Sequence, residues 1–544
     1  MAADERIRMM NCERRRLLWT AALICAPLLC SAGSAQAQLR IVSYNTLTGE
    51  NPGVQTARPQ AATVLEAIGL QAVNGVAKPI DVLLLQEQYT TEISTQSFVD
   101  VLNGIYGAGT YARSTLNAFT SDSLRRGGGP AMLYNTQTVQ LIAETRFGTV
   151  NGSNQARSAM RYQLRPVGYD ASADFYAYSN HYKAGDTSDD MTRRNIEAVA
   201  VRNNANALGE GAHLIFAGDY NIQSSSEAMY QTLLASGAGQ ANDPIDKSQV
   251  NGQPVTWRDN SAYKSIHTQD PDGPMDDRFD FQLVSGEMLD GEGMSFISGS
   301  YRTFGNNGTH SLNGAITTGS GASATVLSAL RANSDHLPVV ADYQLPAKMG
   351  VELAAVPPVV TLGASISLDV TVSNLANVVA AIGADELDYT LSVSGDLFGG
   401  ASGVDLALGG GNLHQVTLNT ATPGLKSGVI TLSSSSQGAA NALQTFPINF
   451  GVAAPFLAAD FDEDGFVDGD DLTTWQTNFG LAAGATKSVG DANLDGAVDG
   501  GDYLLWQQQY SAATVSLASK NVPEPTATTL LLSALALAGR RKRQ

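Results

Sequence analysis

The residues of this 544-residue chain best suited to chemistry stand at the ends of short apolar runs. Asn45 closes LRIVSYN, Glu87 closes DVLLLQE, and His181 and Lys183 follow FYAYSN. Asp219 and Asn221 lie in FAGDYN, Arg278 and Asp280 in DRFDF, and Asp335 and His336 in NSDHLPVVADY. An Asp-His pair at a strand mouth has two readings. It can be a turn, since Asp favours turns and Pro338 restricts what precedes it, or it can be half of a phosphate-ester site. Each of the others also has a plain structural role. Asn45 can serve a turn, Glu87 can end a strand in solvent, His181 can be a satisfied core histidine, and Asp219 with Asn221 can cap a helix starting near Ser224. The order and spacing of the whole set favours chemistry, because loops at one sheet edge can aim side chains together from a rigid scaffold.

The elements that must position them are legible as periodicity. LRIVSY, DVLLLQE, FYAYSNHY, HLIFAGDY, RFDFQLVSG and LPVVADY are short, β-branched or aromatic, and bounded by polar residues, which predicts buried strands. ARPQAATVLEAIGLQAV and DDMTRRNIEAVAVRNNANAL predict helices, and the mixture predicts a layered α/β domain over 38–346. From 350 to 455 Val, Ile and Leu alternate with Ser and Thr between Gly and Asn turns, which predicts a small immunoglobulin-like β-sandwich acting as spacer or binding module.

Residues 456–512 hold a repeat at an offset of 31, with Trp475 and Trp506 matched. One copy presents Asp460, Asp462, Asp464, Gly465, Asp468 and Asp471; the other presents Asp491, Asn493, Asp495, Gly496, Asp499 and Asp502. Oxygens at positions 1, 3, 5, 9 and 12 around a glycine at position 6 suit a hard cation, so two Ca²⁺ sites are expected in a small helical EF-hand pair. The Asp at position 12, where EF-hands favour Glu, resembles type I dockerins. That resemblance implies calcium-coupled folding and a cohesin-like partner.

The ends read as addresses. RRRLLWTAALICAPLLCSAGSAQA has the basic flank, apolar centre and Ala35-Gln36-Ala37 site of a secretory leader over 1–37. Cys12, Cys25 and Cys30 all lie inside it, so an exported mature chain would carry neither thiol nor disulfide. After a linker at 513–521, residues 522–544 place Pro-Glu-Pro before a short apolar run and a basic cluster. This resembles the bacterial PEP-CTERM sorting signal, which implies an exosortase partner and transient membrane contact through 526–539. The location expected is outside the cell or on the surface, outer-membrane associated, of a Gram-negative-type bacterium. A formal charge of −19 and a pI near 4.7 exclude a net positive field as the means of holding nucleic acid or anionic membrane.

Taken in chain order, SYNT, QE, NHYKAG, GDYN, RFDF and SDH resemble the endonuclease/exonuclease/phosphatase superfamily over about 39–345. The resemblance implies a four-layer fold of two packed β-sheets with helices outside. It implies Mg²⁺ or Mn²⁺ held by Glu87, with Asn45 and Asp335 as further ligands, because a phosphate ester repels nucleophiles until a cation offsets its charge. It implies that His336, held in one tautomer by Asp280, activates water or binds phosphate. Asp219 and Asn221 orient the water, and His181 protonates the leaving oxygen or clamps a non-bridging one. Lys183 and Arg278 would contact substrate. Export favours extracellular nucleic acid, cleaved by an endonuclease, as substrate. The other readings are a phosphatase or sphingomyelinase-type phospholipase C, and a catalytically silent surface adhesion or scaffold protein.

Overall fold

The computed structural model describes residues 38–48, 54–118, 128–148, 157–453 and 457–510. The leader at 1–37, the linker at 513–521 and the sorting tail at 522–544 lie outside the described residues. No helix among the described residues is long and apolar enough to cross a membrane.

Among the described residues the first region contains thirteen strands. They are β1 (Leu39–Asn45), β2 (Val82–Gln88), β3 (Tyr111–Arg113), β4 (Gly129–Asn135), β5 (Val139–Phe147), β6 (Ala159–Pro166) and β7 (Phe175–His181). There follow β8 (His213–Asp219), β9 (Gln249–Val250), β10 (Gln253–Pro254), β11 (Asp280–Val284), β12 (Arg302–Thr303) and β13 (Val339–Tyr343). The helices are α1 (Ala61–Leu70), α2 (Gln96–Tyr106), α3 (Ser188–Asn206), α4 (Ala228–Leu234) and α5 (Ala324–Asn333). One sheet runs β12-β13-β1-β2-β4-β3 and the other β11-β8-β7-β6-β5.

Side-chain alternation sorts these strands into layers. Leu39 and Ile41 of β1 meet Phe175, Ala177, Ile215 and Ala217 of β7 and β8 in an apolar layer between the sheets. Val42 and Tyr44 face the other way, onto residues of α1, α2 and α5. Tyr178 and Phe216 likewise face α3 and α4 on the outside of the second sheet. The result is the expected four-layer α/β/β/α order. α3 begins at Thr187, whose side chain forms a reciprocal capping box with Asp190.

A buried ion pair within the first sheet fixes the arginine that ties that sheet to its helix layer. Arg40 and Asp342, both fully buried, share two hydrogen bonds of 2.9 Å. The remaining guanidinium nitrogen, Nη1, donates to the carbonyls of Ile68, Gln71 and Lys78, so Arg40 also satisfies the C-terminal end of α1.

Residues 349–453 form a second, all-β unit. Its strands are β14 (Met349–Leu353), β15 (Val359–Thr361), β16 (Ser367–Asn374), β17 (Leu387–Gly395) and β18 (Leu397–Phe398), then β19 (Ala401–Asp405), β20 (Asn412–Leu418), β21 (Gly424–Ser434) and β22 (Leu443–Ala453). They make two sheets, β14-β16-β20-β18 and β15-β22-β21-β17-β19, closed over Val370, Val372, Leu391, Ile430, Leu432 and Phe450. This sandwich abuts the first region near the start of its strands. His213, the first residue of β8, bonds Gln437 at 2.9 Å, and Gly293 donates to Asp385 at 2.9 Å. The last described segment carries α6 (Gly469–Asn478) and α7 (Gly500–Gln509).

Replacing Asp342 by Ala strands a buried guanidinium and should cost about 3–5 kcal/mol of stability, read as a lower urea midpoint for the first region. A loss below about 1 kcal/mol would show that the pair does not hold the layers together.

Candidate active site

The expected residues converge where both sheets end. β1 and β2 are parallel, as are β7 and β8, so Asn45, Glu87, His181 and Asp219 all lie at carboxyl ends on one edge. β11 and β13 run antiparallel to their neighbours, so they start at that edge and bring Asp280 and the segment before Val339 to it. Asn45, His181, Asp219 and Asp280 share the parity of the inter-sheet layer and therefore point between the sheets.

Glu87 has the wrong parity, since Leu83 and Leu85 face the helices. A β-bulge between Leu85 and Gln88 and a left-handed backbone at Glu87 (φ 56°) turn it inward. Gly128 makes the bulge possible: a Cβ there would lie 2.5 Å from the Glu87 carbonyl carbon.

Asn45 Nδ2 donates to Glu87 Oε1 and to Asp219 Oδ2, both at 3.1 Å. His181 Nε2 lies 3.6 Å from each of the same two oxygens. On the other side of Asp219, His336 Nε2 lies 3.8 Å from Oδ2, while its Nδ1 bonds Asp280 Oδ2 at 2.7 Å. Asn221 donates to Asp219 from its backbone (2.9 Å) and its side chain (3.0 Å). No helix starts at Ser224, so these two residues are not a cap. Asp219 thus belongs to two buried clusters, Glu87–His181–Asp219 and Asp219–Asp280–His336, in each of which ligand-type atoms lie within 4.8 Å of one another.

Burial and charge set the protonation states. Desolvation, with Asp335 and Asp219 nearby, pushes the Glu87 carboxyl up to about 7 against the opposing Asn45 bond. Desolvation raises Asp219 to about 6, although His336 offsets part of the effect. Desolvation and the positive charge of Arg157 drive His181 well below the usual histidine range. Burial opposes charge on His336 too, but Asp280 and Asp219 outweigh it and hold its imidazole well above that range.

A divalent cation fits this donor set. Glu87 Oε2 is buried without a hydrogen-bond partner, which is costly for a carboxylate unless a cation meets it. Hard oxygens from Glu87 and Asp219 are the donors Mg²⁺ prefers. Asn45 turns its nitrogen, not its oxygen, to the carboxylates, and its Oδ1 accepts from Leu47. Asp335 is half-buried at the rim and does not converge with either cluster, though its charge reaches Glu87.

The two expected substrate contacts fare differently. Lys183 sits at the rim, paired with Asp190 at 2.8 Å. Arg278 is not at the site. It is fully buried in a two-pronged pair with Asp243 (2.7 and 3.1 Å) and stacked 4.2 Å over Phe281, so it braces the outer layer of the second sheet and cannot meet substrate. Several positioning residues were not anticipated. Ser334 donates to the Asn45 carbonyl at 2.7 Å and accepts from the His336 backbone. Thr268 accepts from the Asp280 backbone. Glu197, buried in α3, accepts from the backbones of Arg157 and Lys183, on either side of the His181 strand. The S of SDH and the RRNIEA run were the available signals for the first and last.

In the acidic repeat, oxygens of Asp460, Asp462 and Asp464 lie within 4.8 Å of one another, and Asp460 Oδ1 is buried and unpartnered. Asp468 and Asp499 cap α6 and α7, with Asp471 and Asp502 completing the capping boxes. Asp491 accepts from Gly496 as Asp460 does from Gly465, while Asn493 donates to Asp495.

A four-layer sandwich with a buried carboxylate-histidine floor at one sheet edge is the frame of a hydrolase acting on phosphate esters. Residues 42–373 match the Endonuclease/Exonuclease/phosphatase family, and the chain belongs to it. A search of curated proteins returns no match. Similar solved structures include the human Nocturnin catalytic domain with bound sulfate (15% identity, TM-score 0.37, 56% of this chain and 94% of that one). Others are a mannosyl-6-phosphatase of Bacteroides thetaiotaomicron (14%, 0.35, 56% and 99%) and sphingomyelinase C of Streptomyces griseocarneus (16%, 0.34, 56% and 99%).

Protons and metal compete for Glu87 and Asp219, whose carboxyls lie near 7 and 6 in the metal-free chain. Mn²⁺ affinity, measured by titration, should therefore fall as pH drops through 7, by about tenfold per unit once one proton must be displaced. An affinity flat between pH 5.5 and 8 would show that Glu87 is not a ligand.

Proposed function

We propose that this chain is an exported Mg²⁺- or Mn²⁺-dependent phosphoric ester hydrolase. The observation that carries the reading is Asp219, shared between a carboxylate-rich cluster suited to metal and a histidine-carboxylate pair suited to phosphate. A divalent cation held by the Glu87 and Asp219 carboxylates would supply positive charge against the phosphoryl oxygens. His336, kept protonated by Asp280 and Asp219, binds a phosphate oxygen. Asp219, aimed by Asn221, accepts the proton of the attacking water as the new P–O bond forms and the ester P–O bond breaks, and the leaving oxygen takes its proton from a solvent water at the open mouth of the site. His181, kept neutral, donates a hydrogen bond to phosphate. Every group needed is present, which weighs against a silent scaffold.

Extracellular nucleic acid is the substrate that export favours. A polynucleotide needs cations along its path. Around this site Lys183 pairs with Asp190, and Arg157, whose charge reaches His181, is held by the Tyr182 carbonyl. That arrangement favours a second reading, a smaller ester of the phosphatase or phospholipase C kind. For delivery, we propose the leader, the sandwich, the dockerin-like pair with two Ca²⁺ and a cohesin-like partner, and the exosortase-processed tail.

Full chain with Mg²⁺ should cleave aryl phosphate mono- or diesters or plasmid DNA and lose activity in EDTA. His336→Ala should lower kcat at least about 100-fold. Activity indifferent to EDTA would refute metal dependence, and full activity in the variant would remove His336 from the mechanism.

The calcium loops should act together, because Trp475 Nε1 donates to the Asp499 carbonyl and Trp506 Nε1 to the Asp468 carbonyl, each at 2.9 Å. Asp460→Ala should weaken both Ca²⁺ affinities, read by calorimetry and tryptophan fluorescence; loss of one site with the other unaltered would show independent loops.

A further inference from the structure

Beside the catalytic floor lies an open cleft of about 270 Å³ that shares Asn221 with it. Its lining also carries Asp186, Asp270, Asp276 and Asp277, together with Arg258 and Gln269. Asp276 and Asp277 are only 6% and 4% exposed, so burial has already stripped most of their water. Asp277 Oδ1 has no hydrogen-bond partner, and its other oxygen is 4.0 Å from Arg258 Nε, too far for a bond. A buried carboxylate oxygen with no donor in a cleft wall calls for a donor from the ligand.

Three ligand chemistries can be weighed. A polyanion is disfavoured, because four carboxylates line the cleft against one arginine. A single metal ion is disfavoured too: among the described residues these carboxylate oxygens do not converge within 4.8 Å as those of Asp460, Asp462 and Asp464 do. A quaternary or primary ammonium would suit the carboxylates but would meet Arg258. A polyhydroxyl group suits all of them at once, since each hydroxyl both donates to a carboxylate and accepts from a guanidinium or amide. Phe279, half-buried in the same wall, offers a ring for the apolar face of such a group.

We propose that this cleft binds the organic half of the phosphate ester and that this half is a neutral polyhydroxyl moiety, a sugar or polyol. Asp270, Asp276 and Asp277 accept from its hydroxyls, Arg258 and Gln269 donate to them, and Asn221 marks the join with the phosphate site. The proposal rests on the hydrolase reading above and narrows its substrate.

The test compares kcat/KM of the full chain with Mg²⁺ on a hexose 6-phosphate and its methyl diester, p-nitrophenyl phosphate and bis(p-nitrophenyl) phosphate, phosphocholine, and a single-stranded oligonucleotide. The hexose ester of the cleaved type should be preferred over phosphocholine and the oligonucleotide. Asp277→Asn and Arg258→Gln should each lower the hexose-to-aryl ratio of kcat/KM by about tenfold, mainly through KM, the size expected for losing a hydrogen bond to a charged group. Circular dichroism separates misfolding from this effect, and Arg258→Gln, a 43% exposed side chain, serves if Asp277→Asn does not fold. Preference for phosphocholine or the oligonucleotide, or an unchanged ratio in folded variants, overturns the proposal while leaving the hydrolase intact. Failure to cleave any ester of the panel refutes the hydrolase, and the proposal with it.

Discussion

The site depends on one topological constraint: two parallel strand pairs, one from each sheet, ending at the same edge. β1 beside β2 and β7 beside β8 put four chain exits on that edge, and packing the sheets face to face brings the exits together. Parity then decides what fills the gap. Side chains that would extend the apolar layer are polar near the edge, where Gln86 donates to Ser179 and Gln282 donates to the carbonyls of Ile41 and Val339. The core thus grades from apolar to hydrogen-bonded to ionisable along each strand. A rigid scaffold of this kind fixes charged groups without spending loop entropy at the moment of reaction.

Two glycines show where that constraint is tightest. At Gly128 the start of β4 runs against the bulge that re-aims Glu87. At Gly218 (φ 139°) a Cβ would come within 2.0 Å of the Asn180 carbonyl, in the parallel pair that carries His181 and Asp219. Neither glycine touches substrate chemistry directly. Each permits a backbone approach that places a neighbour's carboxylate or imidazole, so the positions act through Glu87, His181 and Asp219.

Much of this was legible because buried strands write themselves as short apolar runs. All six expected strands correspond to β1, β2, β7, β8, β11 and β13, and both expected helices to α1 and α3. β5 escaped notice for a physical reason: with one buried residue and Gln, Glu and Arg facing solvent, it does not read as a core strand. The polar ends of the runs gave most of the site. What sequence could not show was direction. Arg278 and Asp280 are two residues apart in one motif, yet Asp280 meets His336 while Arg278 meets Asp243 on the outer face. Asp243 carries no strand or motif signal, so nothing in the sequence announced that the arginine was already paired. Ser334 and Glu197 lay inside the SDH and RRNIEA segments, but their roles were not legible, since backbone contacts between distant segments leave no periodic trace.

The sandwich meets the first region at His213, at the opposite end of β8 from Asp219. A seven-residue strand spans about 20 Å, so the module supports the catalytic layers from the far edge and leaves the mouth of the site to the loops around Lys183, Arg258 and Asp270. Those loops are acidic, and so is the floor beneath them. Glu87 and Asp219 are crowded carboxylates that desolvation lifts to about 7 and about 6, above the usual carboxylate range. A cation bound there would relieve that repulsion and favour the ionised forms, which would make metal binding and activation of Asp219 one event rather than two. The acidic rim also has consequences for what approaches. It draws divalent ions toward the floor and repels extended polyanions, so the same charges that ready the site for metal also narrow the esters that reach it.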